Sequence, residues 1–151
     1  MKNKEYDLQP LNRVTAICNN IQNEILFLRI QDSGKKDIIC LPGDLIRYGE
    51  LAEETLRRSI LRQTELYVEP IDILGIYSNI DNLSGTHIIE TVFVCIIINY
   101  PQKGLKKSSN QYVWMNRAQI VENKISTNDS RIVNDYNSWR IQKSTFWTSK
   151  I

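Results

Sequence analysis

The residues best suited to chemistry lie close together between Leu41 and Leu66. The part from Glu50 to Glu65 holds four acids, placed towards its ends, and three arginines: Glu50, Glu53, Glu54, Arg57, Arg58, Arg62 and Glu65. If the stretch is helical, residues three and four positions apart share one face. Carboxylates grouped on a face suit a hard cation such as Mg²⁺, whereas a guanidinium grips a phosphate through two parallel hydrogen bonds. The segment therefore suits metal or phosphate chemistry, depending on which positions carry which charge.

The period of the apolar residues predicts a helix in this stretch. Ala52, Leu56 and Ile60 recur every four positions, so an amphipathic helix is expected from Leu51 to about Thr64. The acids of its first turn complement the positive end of the helix dipole.

The same segment resembles the Nudix box, G-x5-E-x7-R-E-U-x-E-E-x-G-U, where U is a bulky aliphatic residue. Leu41-Pro42-Gly43 opens the match, and Glu50 and Arg58 stand at its first Glu and its Arg. The resemblance extends from about Arg13 to Trp139. It implies an α/β fold of the Nudix type, an α/β/α sandwich whose mixed sheet carries the box helix and a C-terminal helix. In catalysing members, the box glutamates hold Mg²⁺ or Mn²⁺ against a pyrophosphate, and the metal activates the attacking water.

This sequence departs from the motif at the glutamates themselves. Asp44 stands at the first Gly, Ser59 at the Glu that follows the Arg, and Arg62 and Gln63 at the paired Glu positions. Three acidic positions thus become one cationic and two neutral, and no shift of register restores E-x-x-E-E. Two unit charges about 4 Å apart near a surface interact by roughly 4 kcal/mol before screening, so a cation beside Arg62 is repelled. The sequence therefore predicts weak or no hydrolysis of the family type.

Two interpretations of Arg62 remain open at this point. In one, its guanidinium replaces the metal and binds a diphosphate directly, with Arg29 and Arg47 nearby. In the other, the site has drifted and the helix face carries ordinary solvated charge, because a fold alone does not prove function. The candidate ligand-binding residues are Arg29, Gly43, Asp44, Arg47, Arg62, Gln63 and Glu90.

Glu50 and Arg58 occupy catalytic positions of the motif, but we interpret them as remnants with a structural role. An internal Glu–Arg pair would brace the loop against the helix. Glu50 is also a weak candidate for a metal ligand, and no other metal ligand is proposed. Mg²⁺ or Mn²⁺ is expected as a cofactor only if some hydrolysis remains.

Two further glutamates carry expectations about local structure. Glu65 stands where the motif has the Gly that ends the helix in a left-handed turn, so we expect this helix end to be rebuilt. Glu90 lies in a strand region where some family members place an extra acid. Alternation along this strand more often places such a residue on a solvated face.

The rest of the chain alternates strand and turn signals before a second helical pattern. Helical spacing over Arg131–Arg140 predicts that helix, with Asn128, Asp129 or Ser130 as its cap. No repeat or linker interrupts the pattern, so one domain is expected over 1–151, with 1–10 and 143–151 flexible or peripheral. The predicted strands are Arg13–Cys18, Glu24–Ile30, Asp37–Leu41, Ile71–Tyr77, His87–Ile98 and Gln111–Met115.

Composition excludes several classes of protein. Nineteen Lys and Arg against seventeen Asp and Glu leave a net charge of +2, too small for a nucleic-acid binder that relies on a basic field. The most apolar segment, Thr91–Asn99, is far shorter than the about 20 residues of a membrane span. Cys18, Cys40 and Cys95 are expected to be buried reduced thiols rather than metal ligands or nucleophiles. With a polar start at Met1–Leu8, these features predict a cytoplasmic protein.

Three functional hypotheses follow. The first is a Nudix-fold protein with a degenerate motif that binds a nucleoside-diphosphate-linked ligand. The second is a divergent active hydrolase that cleaves such a pyrophosphate through Glu50 and acids outside the box. The third is a homodimeric or protein-interaction scaffold, in which late aromatic residues form the interface: Tyr136, Trp139, Phe146 and Trp147.

Overall fold

The computed structural model describes residues 9–31, 33–80, 85–99, 111–143 and 145–147. Within these ranges the chain forms eight strands and three helices. In chain order they are β1 (Leu11–Ile17), β2 (Ile25–Ile30), β3 (Ile38–Cys40), β4 (Gly43–Leu45), α1 (Ala52–Thr64), β5 (Tyr67–Ile80), β6 (His87–Asn99), β7 (Tyr112–Met115), α2 (Arg117–Asn123), α3 (Thr127–Gln142) and β8 (Phe146–Trp147).

The strands form two sheets. One is mixed, in the order β4-β1-β6-β5-β8, with β1 parallel to β6 and β5 antiparallel to it. The other has the order β3-β2-β7 and is antiparallel. The predicted α/β class and mixed sheet are therefore confirmed.

The long helices cover opposite faces of the mixed sheet. Successive residues of a strand point to opposite faces, and in β6 Phe93 packs in one apolar cluster with α1, while Val94 packs in another with α3. Leu56 of α1 belongs to the first cluster, and Ile132 of α3 belongs to the second. The chain thus has the layered helix–sheet–helix order that the sequence predicted.

Several element bounds differ from prediction for physical reasons. The strand predicted at Ile71–Tyr77 belongs to the longer β5, because the pairing of β5 with β6 shifts register around Pro70 and so tolerates the proline. The helix predicted at Arg131–Arg140 begins earlier, at Thr127. Its cap is Ser126, whose hydroxyl accepts from the Asp129 amide at 3.1 Å. The predicted cap at residues 128–130 is therefore wrong, and β4, α2 and β8 were missed.

Two of the three cysteines have the buried position that was predicted for them. All three cysteines are free, Cys18 and Cys95 are buried, and Cys40 is half-buried. Burial raises the pKa of Cys18 to about 12 and also raises that of Cys95, so both thiols stay protonated. In the part of the chain that the structure describes, no helix is long and apolar enough to cross a bilayer.

Two glycines permit main-chain contacts that a larger residue would prevent. A Cβ atom on Gly43 would lie 2.1 Å from the Val14 carbonyl oxygen, inside the pairing of β4 with β1. A Cβ atom on Gly75 would lie 2.2 Å from the Phe146 carbonyl oxygen, where β8 meets β5. Both clashes lie between an edge strand and an inner strand, but β4 is also hydrogen-bonded to α1 through Asp44 and the Gly43 carbonyl, whereas β8 has only two residues.

Gly43→Ala should therefore destabilise the protein much more than Gly75→Ala. The first forces apart β4 and β1, which we expect to lower the free energy of unfolding by about 2–3 kcal/mol, as for an overpacked core. The second is relieved when β8 detaches, at a cost of about 1 kcal/mol or less. Urea unfolding of both variants measures the difference. Equal losses would show that β8 is held as firmly as β4.

Candidate functional site

The loop between β4 and α1 delivers Glu50 to the start of the helix. The amide of Glu50 donates to the carbonyl of Arg47 at 3.0 Å, and Gly49 takes the left-handed φ of 87° that this turn requires. The Leu51 amide donates to the carboxylate of Glu54 at 2.9 Å, which satisfies a free amide at the helix N-terminus. The box loop is thus tied to the first turn of α1.

Two arginines of α1 bind two acids that precede the helix, Asp44 of β4 and Glu50 of the loop. Arg58 donates to Glu50 from Nε at 2.8 Å and from Nη2 at 3.1 Å, so the pair is bidentate. Arg62 Nη2 donates to Asp44 at 3.2 Å, and Arg58 Nη1 lies 3.7 Å from the same carboxylate. The hydrogen bond from Arg58 lowers the pKa of Glu50. The predicted Glu50–Arg58 pair is present, and two positive charges offset two negative ones where the motif groups its acids.

The remaining departures from the motif are also engaged in local contacts. Ser59 is fully buried, and its hydroxyl donates to the carbonyl of Leu56 at 3.1 Å. Gln63 Nε2 donates to the carbonyl of Gly43 at 2.9 Å, so a donor already occupies that oxygen. Its other amide atom, Oε1, is buried without a hydrogen-bond partner. The structure therefore brings Gly43, Asp44, Glu50, Arg58, Arg62 and Gln63 into one network.

These residues do not fit a divalent metal ion. Mg²⁺ needs oxygen ligands at short range and tolerates poorly a neighbouring cation. Here Glu50 is engaged by Arg58, and Asp44 lies between Arg58 and Arg62. Across the described ranges, no three His, Cys, Asp or Glu side chains are grouped so that they could hold a metal.

Glu90 lies in a separate, buried network on the side of the sheet that α3 covers. Its carboxylate accepts hydrogen bonds from Thr15 Oγ1 and from Asn128 Nδ2, the latter at 2.8 Å, and lies 3.7 Å from Arg13 Nε. Glu90 is only 5% exposed. The expectation of a solvated face is therefore wrong, because the N-terminal turn of α3 covers this position. Arg13 also donates to the Leu41 carbonyl at 3.3 Å, which places this network beside the box loop.

Asp129 is a buried acid that sequence reasoning overlooked except as a possible cap. Its Oδ2 accepts from the Leu41 amide at 3.0 Å, next to the start of the box. Burial raises its pKa to about 6; nearby Glu90 adds to the rise, whereas the Leu41 amide and Arg13 oppose it. A signal was available, since Ser126-Thr127-Asn128-Asp129 fits the pattern S-x-x-D of a helix start.

Arg29 and Arg47 lie apart from the arginine–acid network. Arg29 is in β2 of the three-stranded sheet, where it pairs with Ile39, and its amide donates to the Gln111 carbonyl at 2.7 Å. Arg47 is exposed and contributes its carbonyl to the turn before α1. Their roles in ligand binding stay predictions.

The end of α1 keeps the geometry that the motif normally gives to glycine. Glu65 has a φ of 62°, in the left-handed region, and its amide donates to the Leu61 carbonyl at 2.8 Å. The expected rebuilding of this helix end is therefore wrong. The main-chain turn is retained although the side chain makes it unfavourable.

Known proteins resemble this chain in sequence and in structure. An ADP-ribose pyrophosphatase from Methanocaldococcus jannaschii is 28% identical over 134 residues, which cover 88% of this chain and 76% of that protein. A Nudix hydrolase from Nitrosomonas europaea superimposes with a TM-score of 0.76 at 16% identity, over 91% of this chain and 97% of that one. A MutT protein from Methanosarcina mazei Go1 gives 0.65 at 21% identity, over 91% and 98%. No protein-family model matches the sequence.

Asp129→Asn should flatten the pH dependence of stability. The folded pKa of about 6 lies above the ordinary value of 3.8, so the folded state binds more protons between these values. Stability from this group is therefore present below pH 4 and is lost as the pH rises through 6, by about 3 kcal/mol at most. The amide oxygen of Asn can still accept from Leu41. Urea unfolding at pH 4.5 and pH 7.5 measures the change.

Asp72→Asn is the matched control, because Asp72 is exposed at the surface of β5. It should leave the pH profile as it is in the parent protein. If Asp129→Asn also leaves the pH dependence of the unfolding free energy unchanged, the pKa of Asp129 is not raised in the folded state.

Proposed function

We propose that this chain, a protein with the Nudix fold, binds a nucleoside-diphosphate-linked molecule and hydrolyses it weakly or not at all. The observation that carries the proposal is the position of Arg62, at the place of a metal-binding glutamate and paired with Asp44 at 3.2 Å. An arginine there offers to a diphosphate the positive charge that a metal supplies in catalysing relatives.

The accessibility of Arg62 supports direct contact with a ligand. Its side chain is 59% exposed, compared with 27% for Arg58. A guanidinium carries five N–H donors, and Asp44 accepts from only one of its nitrogens. Arg58 is fixed by its bidentate pair with Glu50, so it holds the loop while Arg62 remains able to turn towards a phosphate.

The chemistry of these residues favours binding over cleavage. Hydrolysis of a pyrophosphate requires an activated water and stabilisation of charge on the leaving group. Arg62 can contribute to the second requirement but not to the first, since a guanidinium does not accept a proton. Glu50 could act as a base, but Arg58 stabilises its charged form and lowers its pKa, which weakens it in that role.

A divergent active hydrolase is the second candidate. It is favoured by the 28% identity to an enzyme that is an ADP-ribose pyrophosphatase. In this case Glu50 and acids outside the box would supply the metal site, with Glu90 and Asp129 the nearest buried carboxylates to the box loop. ADP-ribose is therefore the first compound to test for both candidates.

Binding without turnover should depend on Arg62 and not on metal. We expect ADP-ribose to raise the melting temperature equally with and without EDTA, and Arg62→Gln to weaken binding at least tenfold by removing a charge-assisted contact. Arg57→Gln is the matched control, because Arg57 lies on the same helix but pairs with Glu69 at 2.7 Å, away from the box. Calorimetric titration gives the affinities.

Three outcomes would contradict this proposal. Release of AMP that requires Mg²⁺ or Mn²⁺ and is abolished by Glu50→Gln would establish the hydrolase. Equal losses of affinity in the Arg62 and Arg57 variants would remove the role of Arg62. A panel of nucleoside-diphosphate compounds that all leave the melting temperature unchanged would favour the scaffold hypothesis.

Rebuilding the acid pair should create a metal site. In Arg62→Glu/Gln63→Glu, two carboxylates join Asp44 and Glu50, and the Gly43 carbonyl loses its amide donor. We expect Mn²⁺ to raise the melting temperature of this variant and not of the parent protein. The reason is that the variant groups negatively charged carboxylate oxygens, which are the ligands that such an ion prefers. Arg57→Glu/Leu61→Glu changes the helix charge by the same amount away from the box, and should gain no Mn²⁺ response.

A further inference from the structure

A cavity of about 910 Å³ lies between α2, α3 and the turn that leads into β2. Its apolar surface includes Ile25 and Met115 from the second sheet and Val133 from α3. Asn134, Asn137 and other polar residues of the helices line the remainder. A volume of this order matches sites that bind small organic molecules.

The cavity is separate from the box. The length of α3 shows the separation. Asp129 near its start accepts a hydrogen bond from the Leu41 amide beside the box, and Arg140, eleven residues later, contacts Asn23 at the cavity. A helix rises about 1.5 Å per residue, so these two contacts are roughly 16 Å apart.

The charged groups of the cavity are all cationic. Arg117, Lys124 and Arg140 line it, and among the lining residues in the described part of the chain there is no Asp or Glu. The wall is therefore cationic, although the whole protein is nearly balanced in charge. Such a wall attracts an anion and disfavours a cation.

Arg140 is held in place at the wall of the cavity. Its Nη1 donates to Asn23 Oδ1 at 2.5 Å, and its guanidinium carbon lies 4.3 Å from the centre of the Tyr136 ring. A guanidinium carries five N–H donors, and an anionic oxygen is the partner with which it forms the strongest hydrogen bonds.

We propose that this cavity binds a small organic anion. A carboxylate or phosphate of the ligand pairs with Arg140, with Lys124 and Arg117 adding positive charge. An apolar part of the ligand packs against Ile25 and Val133. This site is independent of the ligand proposed for the box, since none of the six residues of the box network lines the cavity.

Titration with phenyl phosphate, benzoate and benzyl alcohol, followed by ¹H–¹⁵N NMR, tests the proposal. The three probes share a ring but differ in the charged group. We expect saturable shifts of amides in 116–125 and 130–140 with one or both anions, and much weaker binding of the uncharged alcohol. The anion that binds more tightly shows whether the site prefers a phosphate or a carboxylate.

Two variants remove charge from the site in different ways. Arg140→Met should weaken anion binding at least tenfold. Because Arg140 also packs on Tyr136, Lys124→Asn provides a variant with little risk to folding: Lys124 is exposed with a φ of 48°, which Asn tolerates well. It should weaken binding severalfold. Arg62→Gln is the control and should leave these shifts unchanged.

Several results would overturn the proposal. The first is the absence of saturable shifts with both anions up to 10 mM of probe, which is roughly the weakest affinity expected for ligands of this size. The second is that benzyl alcohol binds as tightly as the anions. The third is that the shifts are confined to α1. Unchanged affinity in both the Arg140 and Lys124 variants would also overturn it. The ADP-ribose experiment with Arg62→Gln is evaluated separately, so the two proposals can fail independently.

Discussion

The ion pair between Arg58 and Glu50 determines how the loop before α1 meets the helix. Its two hydrogen bonds fix the end of that loop, and Asp44 then lies within reach of both Arg58 and Arg62. In a Nudix box that binds metal, acids on this helix face would be held together by the cation. Here arginine and acid hold each other, so loop and helix keep their arrangement without an ion. The loop and helix are therefore held together by charges that differ from those of the motif.

The sequence predicted the box well because the motif is local. Glu50 and Arg58 stand at fixed positions of the motif within one loop–helix segment, and they meet because the loop turns back beside the first turns of α1. The positions of Arg62 and Gln63 followed in the same way. What the motif could not predict was their partners, because Asp44 and the Gly43 carbonyl are brought in by β4, a three-residue strand without an apolar pattern of its own.

Non-local packing explains the rest of what was missed. Glu90 was expected in solvent because alternation along one strand says nothing about a helix that arrives from elsewhere in the chain. The N-terminal turn of α3 covers it with Asn128, and the same turn buries Asp129 against Leu41. Tyr136 and Trp139 were considered for an interface, but both lie in the core. In each case a contact between distant parts of the chain decides burial, and spacing within one segment cannot show it.

The left-handed turn at Glu65 has a consequence for the genetics of this protein. A non-glycine residue in this conformation costs about 1–2 kcal/mol. Glycine would remove only part of this cost, because glycine loses more conformational freedom on folding. Every glutamate codon is one base change from a glycine codon. Relief of this strain is thus a single mutation away, and a selection for thermal stability alone should reach position 65 early.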